Sequence, residues 1–258
     1  MQGFAATVIA VRIPLEIMMI AKSRTWFAAA MTAALLAGCA TRAPAPDYQA
    51  LVASPDRSEA DRKNDMRRKP VPFLVFMDVR PGMTVADISA GGGYSTELLA
   101  RAVGATGKVY AHNTGKPRLE ERMKKPAMKN VVEVIGPFDN PLPPEVRNLD
   151  LVTFNFNYHD TTYMAVDRAK MNRAVFDALK PGGHYIVADH SAQPGAGVSV
   201  GKSLHRIEEA ALQREVEAAG FKLVAEGGFL RNPNDPRTAP VANPDQPNDE
   251  FVLKFVKP

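Results

Sequence analysis

The run Met83-Thr84-Val85-Ala86-Asp87-Ile88-Ser89-Ala90-Gly91-Gly92-Gly93-Tyr94 constrains the fold more than any other stretch of the chain. A β-type run too short for a helix gives way to small residues and glycines, and Ser95 to Val103 then shows helical spacing. The pattern predicts a strand, a tight turn and a helix start. Glycines let backbone approach a ligand closely, and a helix N-terminus offers N–H groups and partial positive charge to a carboxylate or phosphate. Such a turn suits part of a nucleotide-like molecule, although the same pattern also makes a plain strand-to-helix connection. The dinucleotide pattern G-x-G-x-x-G would use Gly91 and Gly93 but meets Thr96 where Gly or Ala is needed.

From this turn onward, strand and helix patterns alternate at βαβ spacing. Met83 to Ile88, Lys108 to Ala111, Val131 to Ile135, Leu149 to Phe154, His184 to Ala188, Phe221 to Glu226 and Phe251 to Val256 read as strands. Ser95 to Val103, Pro117 to Lys125, Asp167 to Leu179 and a long helix capped by Ser203 and running to Ala219 read as helices. Arg231 to Asp249, rich in Pro, Asn and Asp, predicts an irregular loop that returns the last strand beside the sixth. The expectation is an α/β fold with a Rossmann-like, seven-stranded sheet, mostly parallel, with a C-terminal antiparallel hairpin and helices on both faces. Ahead of this domain, over 80–258, an N-terminal helical extension is expected over 54–79. Ser54-Pro55-Asp56 offers a cap, a first-turn Pro and an acid. Arg57 to Lys69 is mostly charged, which suits a solvated helix on the rim or a lid; Pro70 ends it, and Val71 to Val79 predicts a short helix packed on the sheet.

The first forty residues differ in character. Lys22 and Arg24 precede Trp26 to Leu36, an apolar, Ala-rich run too short to span a bilayer, and Leu36-Ala37-Gly38-Cys39 follows. This resembles a bacterial lipoprotein signal. The resemblance implies a signal peptide over 1–38, a lipid on Cys39 as the only membrane contact, a tether over 39–53, and residence in the cell envelope, with Ala40 suiting the outer membrane. Glu16 and the apolar run before it fit poorly, so translation from Met18 or Met19 belongs to this reading. The competing reading is an Ala-rich helix with a chance cysteine in a cytoplasmic protein. Cys39 is the only cysteine, which excludes an internal disulfide or a multi-cysteine metal site. Arg12, Lys22, Arg24 and Glu16 precede it, so the remainder carries 29 basic and 27 acidic residues and shows no basic stripe interleaved with aromatics, giving no case for nucleic acid.

In an open, mostly parallel sheet, ligands bind outside the carboxyl ends of the strands. The first strand delivers Asp87 to Gly93, the second His112 and Asn113, the third Phe138 and Asp139, the fourth Asn155 to Asp160, and the fifth Asp189 and His190. His159 beside Asp160 suits a base near neutral pH, though a strand-end histidine also serves as a satisfied structural residue. His205 and Arg206 open the next helix, whose start faces the same rim. Arg206 suits an anionic substrate group or an ion pair near Glu208 and Glu209. Three histidines and two acids are also metal-ligand types, but no H-x-x-x-H spacing accompanies them and no metal is assigned.

Asp87, Ser89, Gly91 and Gly93 together resemble motif I of class I S-adenosylmethionine (AdoMet) dependent methyltransferases, D-x-G-x-G-x-G, with Ser89 at the first glycine. The wider set covers Ser54 to Pro258: S-P-x-R before the core, Y-H-D after the fourth strand, D-H after the fifth, L-H-R, F-L-R-N-P-x-D-x-R and a terminal F-V-L-K-F. It is similar to a group of predicted exported bacterial methyltransferases with a lipoprotein-type signal. The resemblance implies methyl transfer from AdoMet to a small-molecule acceptor. It puts Asp87, Ser89, Gly91 and Gly93 around the cofactor and Asn113, 22 residues after Gly91, at the ribose, where the family holds an acid. An amide there keeps its hydrogen bonds but loses charge assistance worth roughly 1 kcal/mol. Phe138 would wall the adenine and Asp139 accept from its amine, unless the one is core and the other a turn residue; Asn155 completes the cofactor set. His159, Asp160 and His190 would be catalytic, with Tyr158, His205 and Arg206 on the substrate, Tyr158 through cation–π attraction to the sulfonium. Two other classes stay open: a non-catalytic envelope binding protein, since AdoMet is made in the cytosol, and a metal-assisted hydrolase built on the histidines.

Overall fold

The computed structural model describes residues 43–241 and 247–258. The predicted signal segment, Cys39 and the first residues of the tether lie outside the described residues. Seven strands form one sheet: β1 (Thr84–Ile88), β2 (Lys108–Asn113), β3 (Val131–Ile135), β4 (Leu149–Asn155), β5 (Leu179–His190), β6 (Lys222–Gly227) and β7 (Glu250–Val256), in the order β3-β2-β1-β4-β5-β7-β6. β1 to β5 pair in parallel, and β7 runs antiparallel between β5 and β6. The seven-stranded, mostly parallel sheet with an antiparallel C-terminal hairpin is the architecture expected from the sequence.

Strand side chains alternate between faces, so each central strand feeds two cores. On one face Val152 and Phe154 of β4, Tyr185 and Val187 of β5, and Phe251, Leu253 and Phe255 of β7 pack together. On the other, Val85, Leu151, Ile186 and Val252 meet Leu98, Leu99 and Val103 of the helix α4 (Tyr94–Val103). Buried on both sides, these strands read as nearly continuous apolar runs.

Several expectations are corrected by tertiary contacts. Tyr48–Val52, predicted as tether, forms α1, whose buried Tyr48 donates its hydroxyl proton to the Val79 carbonyl at 2.7 Å. The next helix does not start at Ser54, whose hydroxyl is spent on Asp56 at 2.6 Å. It starts after Ser58, which caps the Asp61 N–H, and runs as α2 (Glu59–Arg68), followed by α3 (Pro70–Met77). The helix expected over 117–125 shrinks to α5 (Glu120–Met123), whereas the one expected over 167–179 forms as α6 (Arg168–Ala178) with Asp167 capping it. The helix expected from Ser203 to Ala219 is broken into α7 (Gly201–Leu204) and α8 (Glu209–Ala218). The break has a nonlocal cause: Ile207, fully buried, donates to the His190 carbonyl and accepts from Ala192, extending the β5 edge. Backbone committed to a strand-type bridge cannot also continue a helix.

α2 is not a freely solvated face. Asp61 pairs with Arg122 at 2.7 Å, Asp65 takes both nitrogens of Arg57 at 2.6 and 2.8 Å, and Tyr94 donates to Asp65 at 2.7 Å. These contacts latch the helix over the glycine turn.

Candidate active site

The sheet reverses its strand order between β1 and β4, the place where open α/β sheets bind ligands. The parallel register sets Ile88 beside Phe154 and Asn155 beside Ala188, so the loops after β1, β4 and β5 share one rim.

The glycine turn is tight and partly left-handed, with φ of 58° at Ser89, 57° at Gly91 and 81° at Gly93. A Cβ on Gly93 would come within 2.7 Å of Leu119 and 2.8 Å of Arg122, so that glycine permits close packing. A Cβ on Gly91 or Gly92 would meet nothing within 4 Å, leaving open space before those peptides. Asn113 shapes the turn. Its Oδ1 accepts from the Gly91 N–H at 2.8 Å, and its Nδ2 donates to the Gly91 carbonyl at 3.2 Å and to Glu133 at 3.0 Å. Both ends of the amide therefore have protein partners, where the sequence suggested a ribose.

Asp87 is also redirected. It is buried, Thr96 and Thr153 donate to its two oxygens at 2.6 and 3.0 Å, and burial pushes its carboxyl up to about 6 against those hydroxyls. It ties β1 to α4 and β4 from within and does not reach the rim. Phe138 is core, stacked on Phe154 with centroids 5.7 Å apart, and Asp139 is half-buried in a turn beside it. Asn155 has its amide oxygen buried without a hydrogen-bond partner among the described residues.

A cation absent from the sequence-based set lies over the turn. The Arg68 guanidinium sits 4.2 Å from the centre of the Phe156 ring and 5.7 Å from that of Tyr94. Burial, reinforced by neighbouring Arg67, lowers it to about 10. The space left among Arg68, Phe73, Tyr94, Leu98, Asn155 and Phe156 is about 20 Å³, roughly room for one water. α2 thus closes the cleft beside the turn.

The three predicted histidines do gather. The His159 and His190 ring centres are 5.7 Å apart and those of His159 and His205 5.4 Å. His159 Nδ1 meets Asp189 Oδ1 at 2.7 Å, and the His159 N–H donates to Asp189 Oδ2 at 2.8 Å. His159 Nε2 and His205 Nδ1 each lie 3.2 Å from Asp160 Oδ1. Burial alone would lower the His159 imidazole, but hydrogen bonds to Asp160 and Asp189 and their charge outweigh it and raise it to about 9. That shift favours the protonated imidazole, the form that donates instead of accepting a proton. Asp160, which burial would raise, is held low by His159 and Tyr163. His190 Nδ1 is 3.1 Å from Glu250 Oε1 but is not aligned with it as a hydrogen bond.

A polar path connects turn and histidines. Ser89 Oγ donates to Asn157 Oδ1 at 2.5 Å, and Asn157 Nδ2 donates to Asp160 Oδ2. Asn157 stood in the sequence only as one loop residue among several; its spacing of three from Asp160, within one turn, was the available signal.

Two predicted substrate contacts are corrected. Tyr158 is fully buried, donating to Glu215 and accepting from Asn172, each at 2.8 Å, so it faces the core. Arg206 is 1% exposed and spends its guanidinium on Asp235, Asn248 and the Ser191 and Ala239 carbonyls at 2.8 to 3.0 Å. It clamps the loop before β7, and F-L-R-N-P-x-D-x-R is the other half of that clamp, with Arg231 on Glu209 and Arg237 on Asp249.

Comparison with known proteins adds independent observations. Residues 68–201 match the model of the ubiE/COQ5 methyltransferase family. The chain is 28% identical over 154 residues to a ubiquinone/menaquinone biosynthesis C-methyltransferase UbiE of Salmonella arizonae, covering 57% of this chain and 60% of that protein. It is 31% identical over 116 residues to the protein of the same name from Escherichia coli O1:K1, covering 44% and 45%. The match thus spans about half the length of these relatives. Among solved structures, a SAM-dependent methyltransferase from Aquifex aeolicus superposes with a TM-score of 0.54 at 18% identity, over 83% of this chain and all of that one. One from Mesorhizobium loti gives 0.53 at 15%, over 72% and 96%. Both agree with this sheet in fold.

Proposed function

Because the chain belongs to the ubiE/COQ5 methyltransferase family, we propose that it transfers the methyl group of AdoMet to a small-molecule acceptor. Transfer from a sulfonium is an in-line displacement, so the protein's task is chiefly to position donor and acceptor. The observation that carries this reading is the path Ser89–Asn157–Asp160–His159, which joins the glycine turn to the histidine cluster across the switch point of the sheet. The cofactor lies against Gly91 and Gly92, where open space precedes the backbone. Arg68 has aromatic faces but no carboxylate within ion-pair distance among the described residues, so it is the cation available to an anionic end of the ligand once the α2 side of the cleft, now about 20 Å³, opens to admit it. His159, held protonated by Asp160 and Asp189, orients the acceptor instead of taking its proton. His190 walls the same side, and the half-exposed His205 marks the opening.

The same reading places the protein at the cell envelope, as one of a group of exported methyltransferases, through a lipid on Cys39. Its support is Lys22 and Arg24, the apolar run from Trp26 to Leu36, and Leu36-Ala37-Gly38-Cys39. Among the described residues no helix is long and apolar enough to cross a membrane.

Calorimetric titration of the full chain with AdoMet tests the first part. Binding is expected, weakened by about tenfold in Arg68→Ala through loss of one charge-assisted contact. Absence of binding at millimolar AdoMet would remove the proposal.

A further inference from the structure

We propose that His159, Asp160 and His205 form a binding site for a divalent transition-metal ion. The site shares His159, Asp160 and His205 with the cleft of the methyl-transfer reading but is argued from their ligand geometry alone, and His205 lies beyond the segment the family model matches.

One ligand atom from each residue faces the others within 4.8 Å. The two nitrogens converge on the same oxygen, Asp160 Oδ1, each at 3.2 Å. Ligands about 2.0–2.2 Å from a metal in tetrahedral or octahedral geometry stand about 3.0–3.5 Å from one another, so this spacing suits a cation placed among them. Two imidazoles and one carboxylate are the donor set of zinc, iron and manganese sites that keep positions open for water or a substrate oxygen.

The surroundings have the form that metal-bound histidines require. His159 turns its Nδ1 to Asp189, which is fully buried and also holds the His159 and His190 backbone N–H groups. That bond fixes the ring and aims Nε2 at Asp160, the carboxylate–histidine–metal arrangement. Asn157 and Tyr163 hold the Asp160 carboxylate in turn. His205 is a non-glycine residue in left-handed backbone, φ 53°, a conformation the surroundings must impose. At Gly201, in the helix that leads into His205, an added Cβ would stand 2.1 Å from Thr162 Oγ1 and 2.8 Å from the His159 carbonyl. Only glycine lets α7 lie this close to the His159 turn, on the same side as His205 and Asp160. His205 is 43% exposed and Asp160 21%, so an ion reaches the site from solvent, whereas His159 at 4% lies behind them.

Zinc ion alone, titrated into the full chain after exhaustive chelation, tests the site, with cobalt as a spectroscopic probe. One equivalent of zinc is expected to bind, raising the unfolding temperature, and cobalt is expected to give visible bands of nitrogen and oxygen ligation that zinc abolishes. His205→Asn tolerates left-handed backbone and should unfold at the wild-type temperature without metal, yet bind zinc more than about tenfold more weakly. A wild-type chain that binds no stoichiometric zinc overturns the proposal. So does His205→Asn binding zinc as tightly as wild type, which would put the ion elsewhere. Neither readout involves AdoMet, so failure of the methyl-transfer reading would leave this result standing, and the reverse.

Discussion

Tyr158 and His159 are neighbours in the chain and point in opposite directions, one into the core with Glu215 and Asn172, the other to the rim with Asp160 and Asp189. Tyr158→Phe should therefore cost about 1–3 kcal/mol, because it leaves buried polar partners without a bond, while AdoMet affinity stays at the wild-type value. Thermal unfolding and calorimetry together check this. His159 carries a signed pH dependence. Its folded value, about 9, lies above its ordinary 6.5, so its stabilising contribution is complete below pH 6.5 and is lost as pH rises through 9. Asp87, raised to about 6, has finished titrating below most of that window and does not mask the trend. Unfolding temperatures measured from pH 6.5 to 9.5 should fall in the wild type and fall less in His159→Gln; equal slopes would contradict the assignment. The residue types at the rim were legible in the sequence. Which of them face it was not, because Tyr158, Asp87 and Arg206 are each turned away by partners distant in the chain.

Elements behave likewise where local and nonlocal demands compete. α4 buries Glu97 at 1% exposure beneath Arg101, Arg122 and Lys125, at 2.7, 2.5 and 2.9 Å, and Arg122 also reaches Asp61 of α2. Glu97→Gln removes the shared counter-charge of three cations and should destabilise the protein by about 3 kcal/mol, read as a lower denaturant midpoint. The predicted helices over 95–103 and 167–179 formed because their periodicity, caps and apolar faces agree. The one predicted over 203–219 broke at His205 although its local propensity is sound, since Ile207 is claimed by the end of β5. Gly201→Ala should cost about 1–3 kcal/mol by overpacking against Thr162, measurable by the same unfolding experiment.

At the scale of the molecule, the proposed N-terminal signal and the folded domain are separate questions. Cys39→Ser expressed in a bacterial host should shift the protein from the membrane fraction to the soluble fraction; a wild-type chain already soluble, or a variant still bound, would overturn the lipid anchor. Within the domain, the amino-acid sequence by itself determined the seven strands, the tight glycine turn after β1 and the antiparallel return of β7, because alternation, glycine and loop composition act over a few residues each. Only the tertiary structure decided that α2 closes over that turn, that Arg68 enters the cleft, that Arg206 clamps the last loop, and that His159, Asp160 and His205 converge. Those outcomes depend on burial, charge pairing and backbone approach between segments tens of residues apart, and no local pattern encodes which way a side chain turns.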